Sequence, residues 1–260
     1  MQLGIAFFNG VSVEVAIPAM KKHGITHTFV KSDIPNFHEA VQAYQANGII
    51  LESLHAPYKG INALWGEDEA AAQEMVNKIL DAIDKCAQYG IPVVVVHLSS
   101  GRPMPAITEK GLGYYEQIFA YGAEKGVAVA LENLRYAENL EFFMEKYPDC
   151  PFCWDCGHEY CSTKGKRFMK MYGDRVRMLH LHDNRCGFDN DDHMLPFDGN
   201  IPMEQVAQDI AESGYQGSLM LEVGRLIVTH NYDDLTEAEY VERAVAAVKR
   251  LNELVESYRK

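Results

Sequence analysis

The sequence predicts a single α/β domain, residues 1–260, in which eight parallel strands and eight helices alternate and close into a (β/α)8 TIM barrel. Short apolar runs alternate with helical stretches along the whole chain, and we count eight of each. No linker or shift in composition divides the 260 residues. The alternative architecture is an open doubly wound sheet, in which the first turn between strand and helix is expected to be rich in glycine. The first turn here, "FFNGVS", lacks the G-x-G-x-x-G spacing.

The predicted strands are short runs of aliphatic, β-branched and aromatic residues. In chain order they are 3–8, 26–30, 49–56, 92–98, 127–132, 152–155, 176–182 and 217–223.

The predicted helices fill the intervals between these strands. Residues 68–90, 108–126 and 202–214 place apolar side chains at helical spacing and end on a glycine, which is a common C-terminal stop. The amphipathic stretch 235–260 closes the chain. The irregular stretch 183–201 is long for a loop in a compact domain, and such loops are usually functional.

Composition excludes several classes of function. The formal net charge of −13 argues against broad, non-specific binding to nucleic acid or to anionic membranes. The N-terminus lacks the basic start of a signal peptide, and no apolar run is long enough for a membrane span. Six cysteines without a secretory signal predict reduced thiols and a cytoplasmic protein.

Four of the cysteines lie in "CPFCWDCGHEYC", residues 150–161, which raises the question of an iron–sulfur cluster or a structural zinc. Residues three apart on an extended strand point to opposite faces. Cys150, Cys153 and Cys156 therefore cannot face one metal while the segment is extended. We predict that these cysteines are small buried thiols and do not bind metal.

Polar side chains end six consecutive strands, the third to the eighth, at the edge where barrel active sites lie. In chain order they are His55, His97, Glu132, Asp155, His180 with His182, and Glu222. Taken singly, such a residue is more often a hydrogen-bonded core residue or a helix cap. If these side chains face one axis together, the carboxylates repel one another, or the polar atoms lack hydrogen-bond partners, unless a cation lies between them. Mixed Asp, Glu and His ligation suits zinc, manganese, cobalt or iron better than calcium.

Six segments resemble the xylose-isomerase-like TIM barrels, a superfamily that includes sugar isomerases, ketose 3-epimerases, inosose dehydratases and endonuclease IV. They are "LHAPYKGIN", "VVVVHLSSG", "ALEN", "WDCGH", "MLHLHDN" and "LMLEV", and the resemblance covers essentially the whole chain. It implies one divalent ion (Zn, Mn, Co or Fe) held by Glu132, Asp155, His180 and Glu222. His180 is chosen over His182 because the family pattern is His-x-x-Asp and Asp183 follows His180 by three.

The resemblance implies a sugar isomerase or epimerase acting on a ketose, aldose or related polyol. Glu132 or Glu222 would remove a carbon-bound proton and return it by way of an enediolate. The candidates for binding substrate are His158, His182, Arg185 and Trp65. The alternative to substrate contact is a solvated charge on a loop for Arg185, and packing against other side chains of the protein for Trp65. The expected partner is a small sugar or sugar phosphate, and homo-oligomerisation is left open.

The resemblance to endonuclease IV supplies an alternative, a hydrolase of phosphodiesters with two or three zinc ions. The residues that match its additional metal positions are His55, His97, His158, Asp191 and His193. Its Gly-Glu-Gly segment is "FDG" here, at 197–199. The acidic loop, with Asp189, Asp191 and Asp192, is a poor surface for DNA, and the basic stretch "STKGKR", 162–167, is short. Nucleic acid is therefore not the expected partner.

A third alternative is a barrel that binds a sugar without turnover. Nothing in the sequence favours it, because both candidate bases, Glu132 and Glu222, are retained.

Overall fold

Eight strands form one parallel sheet in the computed structural model, which describes residues 1–163, 166–187 and 190–259. The strands β1 to β8 are Gln2–Phe7, His27–Lys31, Ile50–His55, Val93–Val96, Ala128–Glu132, Phe152–Asp155, Val176–His180 and Ser218–Val223. They pair in the order β7-β6-β5-β4-β3-β2-β1-β8. A parallel bridge between Leu181 and Leu221 joins the two ends of this order. The predicted (β/α)8 barrel is confirmed.

The helices lie between the strands, as predicted, but in the described ranges there are nine α-helices and not eight. They are α1 Val13–His23, α2 Phe37–Ala46, α3 Glu69–Tyr89, α4 Glu109–Lys125, α5 Ala137–Lys146, α6 Cys156–Ser162, α7 Phe168–Tyr172, α8 Met203–Ser213 and α9 Glu237–Tyr258. The additional helix arises because two short helices, α6 and α7, share the connection from β6 to β7. Short 3₁₀ helices occupy Ile61–Trp65 and Gly173–Arg175.

Capping residues set the ends of the longer helices. The carboxylate of Asp68 accepts a hydrogen bond from the backbone N–H of Ala71 at the start of α3. Thr236 and Glu239 form a reciprocal capping box at the start of α9. Gly90 follows α3 in the left-handed conformation, with φ of 68°, which confirms the predicted stop.

The interior of the barrel is packed with side chains and is not a pore. Alternate residues of each strand face inward, so Val93 and Val95 of β4 lie in the interior, whereas Val94 and Val96 pack against the surrounding helices. Phe29 of β2 belongs to the same interior cluster. This apolar layer fills the barrel interior beneath the C-terminal ends of the strands, where the polar candidate residues lie.

The cysteines differ from the prediction of six reduced thiols. Cys161 of α6 and Cys186 of the β7–α8 connection form a disulfide, so the prediction is wrong for this pair. The reason is tertiary: the two segments lie side by side, with Cα atoms 4.5 Å apart, although 25 positions separate them in sequence. The predicted cytoplasmic location depended partly on reduced thiols and stays a prediction.

No helix among the described residues combines the length and apolar character that a membrane span requires. Lys164 of the basic stretch and Asp189 of the acidic loop, both named in the sequence analysis, lie outside the described residues.

Candidate metal centre and active site

Four of the predicted donors converge at the C-terminal mouth of the barrel. Glu132 ends β5, Asp155 ends β6, His180 ends β7 and Glu222 lies near the end of β8. All four side chains are buried, and one donor atom from each lies within 4.8 Å of the others. The structure thus brings together the four residues that the family resemblance assigns to one divalent ion.

The surroundings of His180 test whether this donor set fits a cation. Its Nδ1 lies 3.4 Å from Oε1 of Glu132 and 3.3 Å from Oε2 of Glu222. Neither ring nitrogen has a hydrogen-bond partner among the described residues, although the side chain is fully buried. An unsatisfied buried imidazole between two carboxylates is costly. A divalent cation with nitrogen and oxygen ligands would remove that cost, so the residues fit such an ion.

A second donor group uses the other oxygen of Glu132. Nε2 of His97 lies 3.1 Å from Oε2 of Glu132, and Nε2 of His55 lies 3.3 Å from the same oxygen. Nδ1 of His55 lies 2.8 Å from the carbonyl oxygen of Ala56. When Nδ1–H donates to that carbonyl, the lone pair of Nε2 points into the cavity, which is the arrangement of many metal-binding histidines.

A third donor group comes from the long loop after β7. His182, Asp191 and His193 place donor atoms within 4.8 Å of one another. Nε2 of His193 lies 3.2 Å from Oδ1 of Asp191, and Nε2 of His158 lies 3.4 Å from Oδ2 of Asp191. Three of the five additional residues predicted by the endonuclease IV resemblance, His158, Asp191 and His193, therefore meet here, and His55 and His97 meet in the second group.

Asp183 holds this loop over the barrel. Its buried carboxylate accepts hydrogen bonds from the backbone N–H groups of Asn184, Phe197, Gly199 and Ile201, at 2.8 to 3.0 Å. Four such bonds join the two ends of the 183–201 loop. These four bonds join residues up to 18 positions apart, so they form only in the folded chain.

The two glutamates are ionised at neutral pH. Burial alone would raise the pKa of Glu222, but the charges of His180 and His193 outweigh it and bring the pKa down to about 2. The pKa of Glu132 also lies well below its usual value, because the charge of His180 and the hydrogen bonds of His158 and His180 outweigh burial. Both carboxylates are therefore available to bind a cation or to accept a proton.

The neighbouring carboxylates and burial shift the pKa values of the histidines in different directions. Burial lowers the pKa of His158, but the carboxylates of Asp155 and Asp191 reverse this and raise it well above the usual value. For His97 burial prevails, and its pKa falls. His97 is therefore neutral, as a metal ligand must be, whereas His158 carries a proton.

Cys153 is the cysteine that the described structure places beside the first donor group. Its Sγ lies within 4.8 Å of donor atoms of Glu132 and His180. Burial raises the pKa of this thiol to about 12, which leaves it protonated and a weak ligand. Cys150 and Cys156 are buried elsewhere in the core.

The three donor groups border a cavity of about 180 Å³ that opens at the barrel mouth. His158, a candidate for binding substrate, lines this cavity. His182, the other histidine among those candidates, is fully buried and does not line it. Its Nε2 lies 3.1 Å from Oδ2 of Asp155, so it links the third donor group to the first.

Two of the candidate substrate contacts, Trp65 and Arg185, do not line the cavity. The indole of Trp65 is buried, donates from Nε1 to the carbonyl of Leu98 at 2.7 Å and stacks on Tyr115. Trp65 thus packs in the core, because the 3₁₀ helix that carries it turns inward. Arg185 pairs with Asp192, with Nη2 2.8 Å from Oδ1. Neither side chain lines the cavity.

The lining residues that were missed from the sequence include two cations and one aromatic residue, Lys31, Arg135 and Tyr58. Nη2 of Arg135 donates to Oδ2 of Asp191 at 3.0 Å. Lys31 ends β2, so the signal that could have found it is a charged residue at the end of the second strand.

Comparisons with known proteins agree with this fold. A family model described as "Xylose isomerase-like TIM barrel" matches residues 10–255. An uncharacterised protein of Sinorhizobium fredii, y4fM, is 29% identical to this chain over 206 residues. The aligned region covers 72% of this chain and 63% of the relative, so the chain spans less than two thirds of that relative's length. A probable endonuclease 4 of Cenarchaeum symbiosum is 28% identical over 159 residues, 52% of this chain and 55% of that protein. The solved structure of an L-ribulose 3-epimerase superposes with a TM-score of 0.79 at 16% identity, covering 100% of this chain and 96% of the other.

Proposed function

Because the chain belongs to the xylose isomerase-like TIM barrel family, we propose that it is a divalent-metal-dependent isomerase or epimerase of a small sugar. The observation that carries the proposal is the pair of ionised carboxylates, Glu132 and Glu222, on either side of His180 at the mouth of one cavity. The fold shared with an L-ribulose 3-epimerase supports it. We also propose that the protein is located in the cytoplasm.

Glu132, Asp155, His180 and Glu222 would hold the metal, which would be zinc, manganese, cobalt or iron. When bound, the ion would polarise a sugar carbonyl and its neighbouring hydroxyl and make the adjacent carbon-bound proton more acidic.

The chain's own residues move that proton. Glu222 or Glu132, each ionised, accepts it, and the same or the other carboxylate returns a proton to carbon. Return from the opposite face of the same carbon gives epimerisation, whereas return to the neighbouring carbon gives isomerisation. Nδ1 of His158 lies 3.0 Å from the carbonyl of Asn133, which orients the ring with Nε2 3.4 Å from Oδ2 of Asp191. The protonated ring lines the cavity and can also donate to a substrate oxygen.

The test is exchange of carbon-bound hydrogen with solvent. The metal-loaded protein is incubated in heavy water with a panel of ketoses and aldoses, and deuterium incorporation is followed by NMR. We expect incorporation into at least one sugar and a loss of 10²-fold or more in Glu222→Gln, the usual range for removing a general base. Glu74→Gln, on the exposed face of α3, is the matched control. Full exchange in Glu222→Gln, or none in the wild type with any sugar, would reject the proposal.

A second candidate function is hydrolysis of a phosphodiester by a cluster of metal ions. The specific observation in its favour is that the second and third donor groups, with His55 and His97 and with Asp191 and His193, adjoin the first. The similarity to a probable endonuclease 4 supports it. Two or more zinc ions per chain, with cleavage of an abasic-site oligonucleotide and no hydrogen exchange in sugars, would favour the hydrolase.

A further inference from the structure

Lys31 is the last residue of β2 and lies level with His55 of the neighbouring strand. Phe29, two residues earlier, faces the barrel interior and stacks on the ring of His180 at 4.7 Å. Because side chains of a strand alternate between faces, Lys31 also points inward, one layer above Phe29. It lines the same cavity as Glu132 and Glu222.

The ammonium group of Lys31 is held by aromatic rings. Its Nζ lies 4.9 Å from the ring centroid of Phe8 and 5.7 Å from that of Tyr58. Within the described ranges it forms no ion pair with a carboxylate, whereas Arg135, the other long cation of the cavity wall, is paired with Asp191. Ring faces attract a cation but leave its three N–H donors unused.

The charge of Lys31 interacts electrostatically with Glu222, but no carboxylate of the described residues lies within ion-pair distance of its Nζ. Its N–H donors can therefore bind a negatively charged ligand in the cavity. The ring of Tyr58 also stacks on His97 at 4.7 Å, so the aromatic wall that holds Lys31 continues into the donor groups. A substrate could therefore reach from the carboxylates to Lys31 within one cavity.

We propose that Lys31 binds an anionic group, a phosphate ester or a carboxylate, at the end of the sugar remote from the carbons that react. This inference rests on the proposed function and names its substrate class, a sugar phosphate or a sugar acid. Neutral sugars would lack this contact and bind more weakly.

The experiment measures binding, not turnover. Calorimetric titrations of the metal-loaded wild type use three probes: ribulose, its terminal phosphate ester and the sugar acid fructuronate. We expect one of the two anionic probes to bind at least about tenfold more tightly than ribulose, as hydrogen bonds to charged groups usually produce. Preference for the ester identifies sugar phosphates, and preference for fructuronate identifies sugar acids.

Three variants test whether Lys31 is responsible for the preference for an anionic probe over ribulose. Lys31→Met should lose it and Lys31→Arg should retain part of it, which shows that a folded cavity is present. Lys59→Met, at an exposed lysine of the neighbouring loop, should bind as the wild type does. Equal affinity of the wild type for charged and neutral probes, or an unchanged preference in Lys31→Met, would overturn the inference. If the preference depends on Lys31 but no sugar exchanges hydrogen, the proposed function fails and the anion site stands.

Discussion

The Nε2 atoms of His55 and His97 lie 3.1 Å apart, and both face the same oxygen of Glu132. Two imidazole nitrogens at this distance cannot both carry a proton without repulsion. His97 is neutral, because burial lowers its pKa. A cation between these nitrogens and Glu132 would satisfy all three groups, in addition to the ion of the four-donor group.

The two candidate functions predict different metal contents for His97→Ala. Under the hydrolase alternative the wild type holds two or more ions, and His97→Ala should lose one of them while the ion of the four-donor group remains. Under the proposed isomerase or epimerase function the wild type and His97→Ala should each hold one ion. Elemental mass spectrometry on protein purified without chelator or histidine tag provides the measurement. His23→Ala, in α1 and paired with Glu242, is the matched control. A wild type that holds one ion, with the same content in His97→Ala, would show that the second group binds no metal.

Cys153→Ala should leave the metal content unchanged. The thiol lies beside Glu132 and His180, but its pKa of about 12 keeps it protonated, and a thiol must lose its proton to ligate a metal. Asp155→Asn, which changes a predicted ligand on the same strand, should lower the content by about one ion. If Cys153→Ala loses an ion as well, the cysteine is a ligand and the four-donor description is incomplete.

Reduction of the disulfide should destabilise the protein. Cys161 and Cys186 are 25 residues apart, and the chain-entropy relation gives about 3 kcal/mol for closing a loop of this length. The free energy of unfolding, measured in urea, should fall by about that amount when a reductant is added. The Cys161→Ser/Cys186→Ser variant should not respond to the reductant. Six reactive thiols in denatured, unreduced protein would show that the bond is not present.

Glu159 should make stability depend on pH. Its buried Oε2 accepts hydrogen bonds from Nε1 of Trp154 and from the backbone N–H of Phe168, and burial raises its pKa to about 7. An acid whose pKa is higher in the folded state favours folding when protonated. That advantage is lost as the pH rises from the unfolded-state pKa, near 4.5, towards 7.

Glu159→Gln does not titrate, and its amide can keep the same acceptor oxygen in place. Relative to the wild type it should gain about 2 kcal/mol in free energy of unfolding between about pH 5 and about pH 8. Urea titrations across this range measure the difference. Glu212→Gln, at an exposed glutamate of α8, is the matched control. A constant difference between Glu159→Gln and wild type would mean that Glu159 does not titrate in this interval.

The alternation of strands and helices could be read from the sequence, because burial of one face leaves a periodic pattern of apolar residues. The same pattern placed a carboxylate or an imidazole at the end of each strand from the third to the eighth, and the C-terminal ends of parallel strands meet at one edge of a barrel. The pattern did not select among these residues. The choice of Glu132, Asp155, His180 and Glu222 as one donor group came from the family resemblance.

Only the tertiary structure decided which way the connecting segments turn their side chains. Trp65 lies in a loop beside the barrel mouth, and nothing in its local sequence distinguishes stacking on Tyr115 from exposure to the cavity. The bond from Cys161 to Cys186 and the aromatic support of Lys31 join segments that are distant in the chain. Such contacts depend on how elements pack against one another, and periodicity along a single element contains no information about them.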